Sequence, residues 1–251
     1  MTDVGPIARA LAVIRVLSRS SEPLRVKTLA EALGLPVSTS HRYLDLLVEG
    51  GFVKKDGQHR YSVGAELFLT AKAIMEKPSL YATAPSVLDD INSSTGEAAV
   101  LNLYSRRHKI VSYVAASRCQ QEPSWTLALD QQQPISCGAS GLAMLAFLPK
   151  RVQLEIIRRS EPSPATGTLL DSNIITSKLK EIRIQGYAVT QEERIPGAVG
   201  IAVPVFHCNE VAGSMGLIIP IGRFERRMCD AYGKLLKEAV RRALTAVDSA
   251  H

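Results

Sequence analysis

The first fifty residues alternate between hydrophobic stretches with helical spacing and short polar breaks. The spacing in the first stretch predicts a helix whose apolar face carries Ile7, Ala10, Leu11, Ile14 and Leu17. After a break at residues 20–26, a short second helix ends at Gly34 and buries Leu29, Ala30 and Leu33. A third helix begins at Pro36, and its inner face is predicted to carry Val37, Leu44, Leu47 and Val48.

Two short β-prone runs follow these helices. Residues 52–56 (FVKKD) and 59–63 (HRYSV) flank Gly57, an arrangement typical of a hairpin. Three short helices and a two-stranded wing predict a winged helix-turn-helix over residues 1–63. In modules of this kind the N-terminal part of the last helix enters the major groove of DNA. We therefore expect this region to bind double-stranded DNA.

The candidate DNA contacts are polar side chains of the third helix and of the wing. On the helix they are Ser38, Thr39, His41 and Arg42. On the wing they are Lys54, Lys55 and Arg60. Hydroxyl groups suit phosphates or bases, a guanidinium group suits a guanine edge, and lysines suit phosphates. Residues 1–60 carry nine basic against six acidic residues, a balance compatible with nucleic acid.

Three alternatives remain open for these side chains. Ser and Thr near a helix start often only cap the helix. His41 lies close to the apolar face and suits the core equally well. The two lysines are also what a solvated hairpin would carry.

A further apolar helix is predicted for residues 64–78. Its hydrophobic face carries Leu67, Phe68, Ala71, Ile74 and Met75, and Pro78 ends it. The winged helix-turn-helix is too small for its own core to cover this hydrophobic face. We favour packing against a second copy, because DNA readers of this kind commonly bind as dimers. Packing on the chain's own second domain is the alternative.

From residue 79 onward the pattern mixes helices and strands. A helix around Val87, Leu88 and Ile91 precedes β-prone runs at 98–104, 109–116 and 124–129. Later stretches predict helices at 150–159, 172–185 and 224–247, with three more strands between 186 and 220. Clustered strands with helices at each end predict an α+β domain over residues 79–251, with a mostly antiparallel sheet.

The most informative part of this domain is a helix start rich in small residues. They are Ser136, Cys137, Gly138, Ala139 and Ser140. A helix start carries unpaired N–H groups and a partial positive charge, which suit a carboxylate, and small side chains let a ligand reach them. The alternative is that close packing alone requires small residues here. Gly197 and Gly200, in the later loop IPGAVGIA, also suit a cavity wall.

Adjacent carboxylates at Glu192 and Glu193 raise the question of catalysis. Neighbours on an extended segment point to opposite faces, so we do not expect the two groups to act together. The sequence shows no partnered nucleophile and no phosphate-binding glycine loop. We therefore expect no enzyme. The contrasting hypothesis is a small-molecule hydrolase or deaminase with an N-terminal adaptor.

Composition agrees with an ordinary globular protein that needs no cofactor. Of its 251 residues, 46% are hydrophobic and 22% are charged, and the net charge is +6. The four cysteines (119, 137, 208 and 229) lie far apart without a CxxC pair, so we expect neither a disulfide framework nor a metal site. No apolar run approaches the ~20 residues of a membrane span. We expect a cytoplasmic protein without a membrane partner.

Together these stretches resemble the IclR family of bacterial transcriptional regulators over nearly the whole chain. The run LAEALGLPVSTSHRYLDLLVEGGFV, followed by RYSVG, resembles the family's helix-turn-helix and wing. STGEAAVLNLY, PISCGASGLAMLA and GYAVTQEERIPGAVGIAVPVF then follow in family order and spacing. The resemblance implies a GAF-like effector-binding domain, a helical linker, and homodimers that often pair into tetramers. It also implies a small organic effector, frequently an aromatic or aliphatic carboxylate.

The resemblance also implies where the effector binds. The implied positions are Ala139, Ser140, Thr190, Gly200, Gly216 and Ile218, with Ser136, Cys137 and Gly138 at the border. The family often has an acid where this chain has Thr190, and an apolar residue where it has Ser40. Trp125 suits the flank of an aromatic ligand or the core.

The function expected from all of this is a ligand-responsive, DNA-binding regulator of a catabolic operon. A module whose head binds protein instead of DNA is a further alternative.

Overall fold

The computed structural model of the chain describes residues 5–77, 79–117 and 132–248. Two compact units are present, with the boundary between residues 77 and 78. The first unit contains the predicted head and the helix predicted to follow it. The second contains the predicted α+β domain. The predicted fold class, a winged helix-turn-helix followed by an α+β domain, is confirmed.

The first unit is a winged helix-turn-helix with one more helix at its end. Its elements are α1 (Pro6–Arg19), β1 (Leu24–Arg25), α2 (Val26–Leu33), α3 (Val37–Glu49), β2 (Val53–Lys55), β3 (Arg60–Val63) and α4 (Ala65–Met75). The strands form an antiparallel sheet in the order β1-β3-β2. Gly34 ends α2 in the left-handed conformation, which glycine adopts without steric cost. Strand β1 has no signature in the sequence, since two residues cannot show alternation.

The core of this unit lies where α1, α2, α3 and the hairpin meet. Its buried members are Val13, Leu17, Leu29, Tyr43, Leu44, Val53 and Tyr61. The predicted inner faces are wrong at Ile7, Leu11 and Val37, which are 79%, 53% and 47% exposed. Val13 and Leu17, four residues apart, define the true inner face of α1. Val37 is the first residue of α3 and lies outside the core cluster.

Helix α4 follows the wing and buries none of its side chains. Its apolar residues Phe68, Ile74 and Met75 are 68%, 58% and 50% exposed. Large apolar side chains gathered on one exposed helix usually mark an interaction surface.

The second unit is a six-stranded antiparallel sheet with helices on both faces. Its elements are α5 (Leu80–Thr95), β4 (Ala98–Ser105), β5 (Ile110–Ala116), β6 (Gln132–Pro134), α6 (Gly138–Leu145), α7 (Lys150–Arg158), α8 (Ser172–Gln185), β7 (Ala188–Gln191), β8 (Ala198–His207), β9 (Glu210–Pro220) and α9 (Cys229–Asp248). The strand order is β6-β5-β4-β9-β8-β7. The last helix begins at Cys229 rather than at residue 224, because two 3-10 turns precede it. The strand predicted at 124–129 lies outside the described residues.

Two hydrophobic clusters attach the helices to this sheet. On one face α5 and α9 pack through residues such as Leu88 and Leu236. On the other face α6, α7 and α8 pack through residues such as Leu142 and Ile175. Strand alternation separates the two clusters, since successive side chains of a strand point to opposite faces.

Helix α6 lies unusually close to its neighbours because its first turn is made of small residues. A Cβ atom added at Gly141 would lie 2.5 Å from the carbonyl oxygen of Ile135. One added to Gly200, on β8, would lie 3.1 Å from the Cβ atom of Ala139. Steric packing is therefore one real reason for small residues at this helix start.

Candidate functional sites

The start of α3 presents a polar face to solvent. Ser38 and Arg42 are exposed, and Thr39 is half-buried. Pro36 is the N-cap residue, and no side-chain hydrogen bond caps this described helix. The capping role considered for the Ser38 and Thr39 hydroxyls is therefore absent, and both remain available to a partner. Ser40 differs, because it is fully buried and its hydroxyl has no partner among the described residues.

The wing carries the other predicted DNA contacts. Lys54 and Lys55 are exposed. Arg60 is engaged within the chain, since its Nε donates to Asp56 Oδ2 at 2.8 Å. The backbone N–H of Arg60 is the main cause that lowers the pKa of Asp56, and the guanidinium lowers it further. Of the three cations, the two lysines are thus the more available to phosphates.

His41 makes contacts on both sides. Its ring meets Tyr61 edge to face with the centroids 6.3 Å apart, and its Nδ1 lies 3.5 Å from Asp45 Oδ2. Its side chain is 45% exposed. Packing and surface access therefore coexist at this position.

In the second unit, a small cavity lies between the start of α6 and the sheet. Its volume is about 40 Å³, above the ~10–15 Å³ that a cavity needs to hold one water molecule. Six of the predicted effector positions line it: Gly138, Ala139, Ser140, Thr190, Gly200 and Ile218. The chain thus brings together residues as far apart in sequence as Gly138 and Ile218.

The remaining predicted effector positions lie elsewhere. Ser136 and Cys137 are buried just before α6 and do not line the cavity. Gly216 stands on β9 between Val100 and Ala202, where a Cβ atom would meet the neighbouring strand at 2.6 Å, so its smallness serves sheet packing. Trp125 lies outside the described residues.

Glu193 occupies the amino end of α6. Its Oε2 accepts a hydrogen bond from the backbone N–H of Gly138 at 2.9 Å, and its Oε1 lies 2.5 Å from Lys178 Nζ. The expectation that Glu192 and Glu193 lie on an extended segment is wrong. They belong to a turn in which Glu192 has a φ of 51° and accepts from the Gly197 N–H. The carboxylate predicted for this helix start is thus supplied by the chain itself.

Arg194 is the residue that sequence reasoning missed. Its Nη2 donates to the carbonyl oxygens of Pro134 and Cys137 at 2.7 and 2.6 Å. Its Nε and Nη1 are buried and have no oxygen acceptor among the described residues. A lone arginine in a loop gives no signal in a sequence, because only the fold brings it against a helix 56 residues earlier.

Burial affects the thiol beside this arginine. Loss of solvent raises the pKa of Cys137, and the positive charge of Arg194, together with a side-chain hydrogen bond from it, partly lowers the pKa again. Cys137 is therefore a neutral, buried thiol at neutral pH. It behaves as a packing residue rather than as a nucleophile.

A buried polar contact supports Ser140 from behind. Asn102, on β4, donates from Nδ2 to Ser140 Oγ at 3.1 Å. The Asn102 Oδ1 and the hydroxyl of Ser214, its neighbour across the strands, have no partner among the described residues. This contact holds the hydroxyl of Ser140 in place.

Among the described residues, no cluster of three or more His, Cys, Asp or Glu side chains could hold a metal ion. Nor does any described helix have the length and apolar character needed to cross a membrane.

The fold defines the class of protein: a DNA-binding winged helix-turn-helix joined to an α+β domain with a small cavity. Comparison with known proteins specifies the family. The model of the IclR helix-turn-helix domain matches residues 6–57, and that of the bacterial transcriptional regulator IclR C-terminal region matches residues 72–244. The chain belongs to the IclR family of bacterial transcriptional regulators, as its sequence motifs predict.

Individual relatives agree with this assignment. The glycerol operon regulatory protein of Streptomyces griseus is 28% identical over 88% of this chain and 87% of its own length. The transcriptional repressor IclR of Escherichia coli is 22% identical over 97% of this chain and 90% of its own. The first is an operon regulatory protein and the second is a transcriptional repressor.

Solved structures show the same fold. An IclR transcriptional regulator from Alicyclobacillus acidocaldarius has a TM-score of 0.84 at 26% identity, covering 98% of this chain and 99% of that one. An IclR homologue from Microbacterium hydrocarbonoxydans, complexed with 4-hydroxybenzoate, has a TM-score of 0.82 at 20% identity, covering 98% and 100%.

Proposed function

We propose that this regulator controls a catabolic operon in response to a small organic carboxylate, most simply an aromatic one. The observation that carries the proposal is the cavity at the start of α6, where Ser140, Thr190 and the helix amide end come together. One relative with this fold was solved with 4-hydroxybenzoate, a ligand of the proposed class.

The DNA-binding half of the proposal depends on α3. Its exposed Ser38 and Arg42, with Thr39 beside them, are suited to the major groove, and Lys54 and Lys55 of the wing to phosphates. His41 and Arg60 complete the proposed contact set. Arg60 would have to exchange Asp56 for a phosphate, and we expect it to contribute less than the lysines.

Assembly is the second element of the proposal. The exposed apolar face of α4 is suited to cover its equivalent on a second copy, which would give a homodimer with two heads. Two heads would read a roughly palindromic operator. We propose residues 64–78 as the dimerisation segment, with pairing of dimers into tetramers as a further step.

The effector half depends on rearrangement. A cavity of about 40 Å³ is too small for a benzene ring, so the ligand must displace side chains that now fill the space. We propose Ala139, Ser140, Thr190, Gly200 and Ile218 as its walls. The ligand can alter DNA binding only if it favours one arrangement of the molecule over another.

Two measurements test the proposal together. A thermal-shift screen of small carboxylic acids should raise the melting temperature for at least one of them, since a ligand of the native state stabilises it. Fluorescence anisotropy with DNA from beside the gene should show salt-sensitive binding that the same acid changes. Absence of DNA binding at low salt would favour a protein-binding head, and turnover of the acid would favour the enzyme hypothesis.

A further inference from the structure

The chain's two charged neighbours at the cavity, Glu193 and Arg194, have opposite relations to an incoming anion. Glu193 already makes the contact with α6 that a ligand carboxylate would make. Arg194 has guanidinium N–H groups that donate to no oxygen atom of the described residues. This pair carries an inference that rests on the proposed function and specifies the chemistry of its ligand site.

The guanidinium of Arg194 is held in place by the backbone. Nη2 donates to two carbonyl oxygens, those of Pro134 and Cys137, so one edge of the fork is fixed. A Cβ atom added to Gly138 would lie 2.8 Å from Arg194 Nε, so the group lies directly over the first residue of α6. Gly138 has a φ of 73°. The residue thus combines a conformation that glycine favours with the close approach of a side chain.

The rest of the guanidinium has no strong acceptor. Nε and Nη1 are buried and find no oxygen acceptor among the described residues, and the Cys137 thiol, with which the guanidinium interacts, is a weak acceptor. Leaving buried donors of a charged group unpaired costs free energy, and native proteins rarely retain such groups without a reason. No carboxylate of the described residues forms an ion pair with Arg194. Arg194 also lines the cavity, so an anion that enlarges the cavity by rearrangement would reach these donors, which are now closed to solvent.

We propose that Arg194 is the residue that recognises the effector's carboxylate, and that Glu193 is an internal carboxylate that the effector displaces from α6. Arginine donors and a helix amide end together would hold the two oxygens of one carboxylate. Lys178 holds Glu193 in its present position. It would keep the displaced side chain neutralised after the exchange.

This arrangement makes opposite predictions for the two neighbours. Arg194→Gln removes the charge and the fork, so carboxylate affinity should fall about 10- to 100-fold, the range expected for a lost charge-assisted hydrogen bond. Glu193→Gln removes the competing charge while keeping an oxygen for the Gly138 N–H, so carboxylate affinity should rise. A purely structural role for either residue would not give changes of opposite sign.

Calorimetric titration with benzoate and 4-hydroxybenzoate, and with benzamide and 4-hydroxybenzamide as neutral partners, tests the inference. Wild type should prefer each acid to its amide, and Arg194→Gln should lose that preference. Arg151→Gln serves as the matched control, because it removes the same charge from an exposed position on α7. It should leave both affinities unchanged.

The outcomes separate the two proposals. If wild type binds an acid and Arg194→Gln binds it equally well, the role of Arg194 is overturned while the proposed function stands. If no acid binds wild type, the ligand class of the proposed function is wrong and the inference falls with it. Should Arg194→Gln fail to fold, the acid preference of wild type and the gain in Glu193→Gln decide the question. Equal affinity for acid and amide, or a loss in Glu193→Gln, would overturn it.

Discussion

Helices α3 and α6 begin with similar residues, but the start of α3 is exposed and the start of α6 is buried. Each starts with small or hydroxylated residues, and neither N-cap residue forms a side-chain cap. The start of α3 remains exposed, so its donors and hydroxyls are available to a large external partner. The start of α6 is buried, and Glu193 from a distant turn takes its first amide. A helix start of this composition can therefore serve either a large external partner or a small buried group. The surrounding structure determines which of the two can reach it.

The two helix starts also differ in the space that each offers to a partner. Ser38 and Arg42 of α3 are already exposed. The α6 cavity must open before an organic acid fits. In the proposed function, the opening of the α6 cavity can change DNA binding only if it also favours one arrangement of the molecule over another.

The largest expected effect is loss of the effector in a variant that fills the cavity. Ser140→Trp places an indole ring where the ligand would bind, so no acid should produce a thermal shift. DNA affinity measured by anisotropy should be unchanged, because α3 belongs to the other unit. A normal ligand response in this variant would remove Ser140 from the site.

The packing role of the α6 start is tested by a single methyl group. Gly141→Ala places a Cβ atom 2.5 Å from the Ile135 carbonyl oxygen, so we expect the second unit to lose about 3 kcal/mol of stability by overpacking. Urea unfolding followed by circular dichroism measures this loss.

The control for that prediction lies in the same unit. A Cβ atom added at Gly222 meets nothing within 4 Å, so Gly222→Ala should change stability by only a few tenths of a kcal/mol. Equal effects from the two alanines would show that α6 has room to move.

Base reading by α3 is tested at its exposed guanidinium. Arg42→Ala should weaken operator binding by about 1–3 kcal/mol and relax the preference at one base pair. Competition with random DNA distinguishes this from simple charge loss, for which Lys54→Ala is the matched variant. An equal loss of affinity for operator and random DNA would mean that Arg42 contacts a phosphate rather than a base.

The smallest effect is expected from the buried member of the α3 start. Ser40 is fully buried with an unpaired hydroxyl, so Ser40→Ala should raise the stability of the first unit by about 1 kcal/mol. Scanning calorimetry should show a higher melting temperature for Ser40→Ala. Ser38→Ala, at an exposed position, should leave the melting temperature unchanged. Destabilisation by Ser40→Ala would mean that the hydroxyl has a partner in solution.

Much of the fold could be predicted from the sequence, and the errors have local causes. Helix ends at Gly34 and Gly96 were predictable because left-handed residues are specified by glycine itself. Ile7 and Leu11 were assigned to the wrong side of α1, since adjacent faces of a short helix carry similar apolar residues. The strand β1 could not be predicted, as two residues pair only because β3 lies beside them.

The two candidate sites also differ in how far they could be predicted from the sequence. The α3 surface was predictable residue by residue, since one helix contains most of it. The cavity was predictable only in part: its small residues have a pattern, but Arg194 and Glu193 were not recognised as part of it. A charged residue in a loop looks solvated in the sequence, and only the turn at 192–197 directs these two side chains onto α6.

The sequence by itself determined most of the secondary structure, the division into a head and an α+β domain, and the family, because periodicity, glycine positions and motif order are local properties. Tertiary structure alone decided which helix start stays open, which carboxylate fills the other, and that an arginine lies over it with donors unpaired. Such contacts join residues about 55 positions apart, and their free energy depends on burial, which no local pattern encodes.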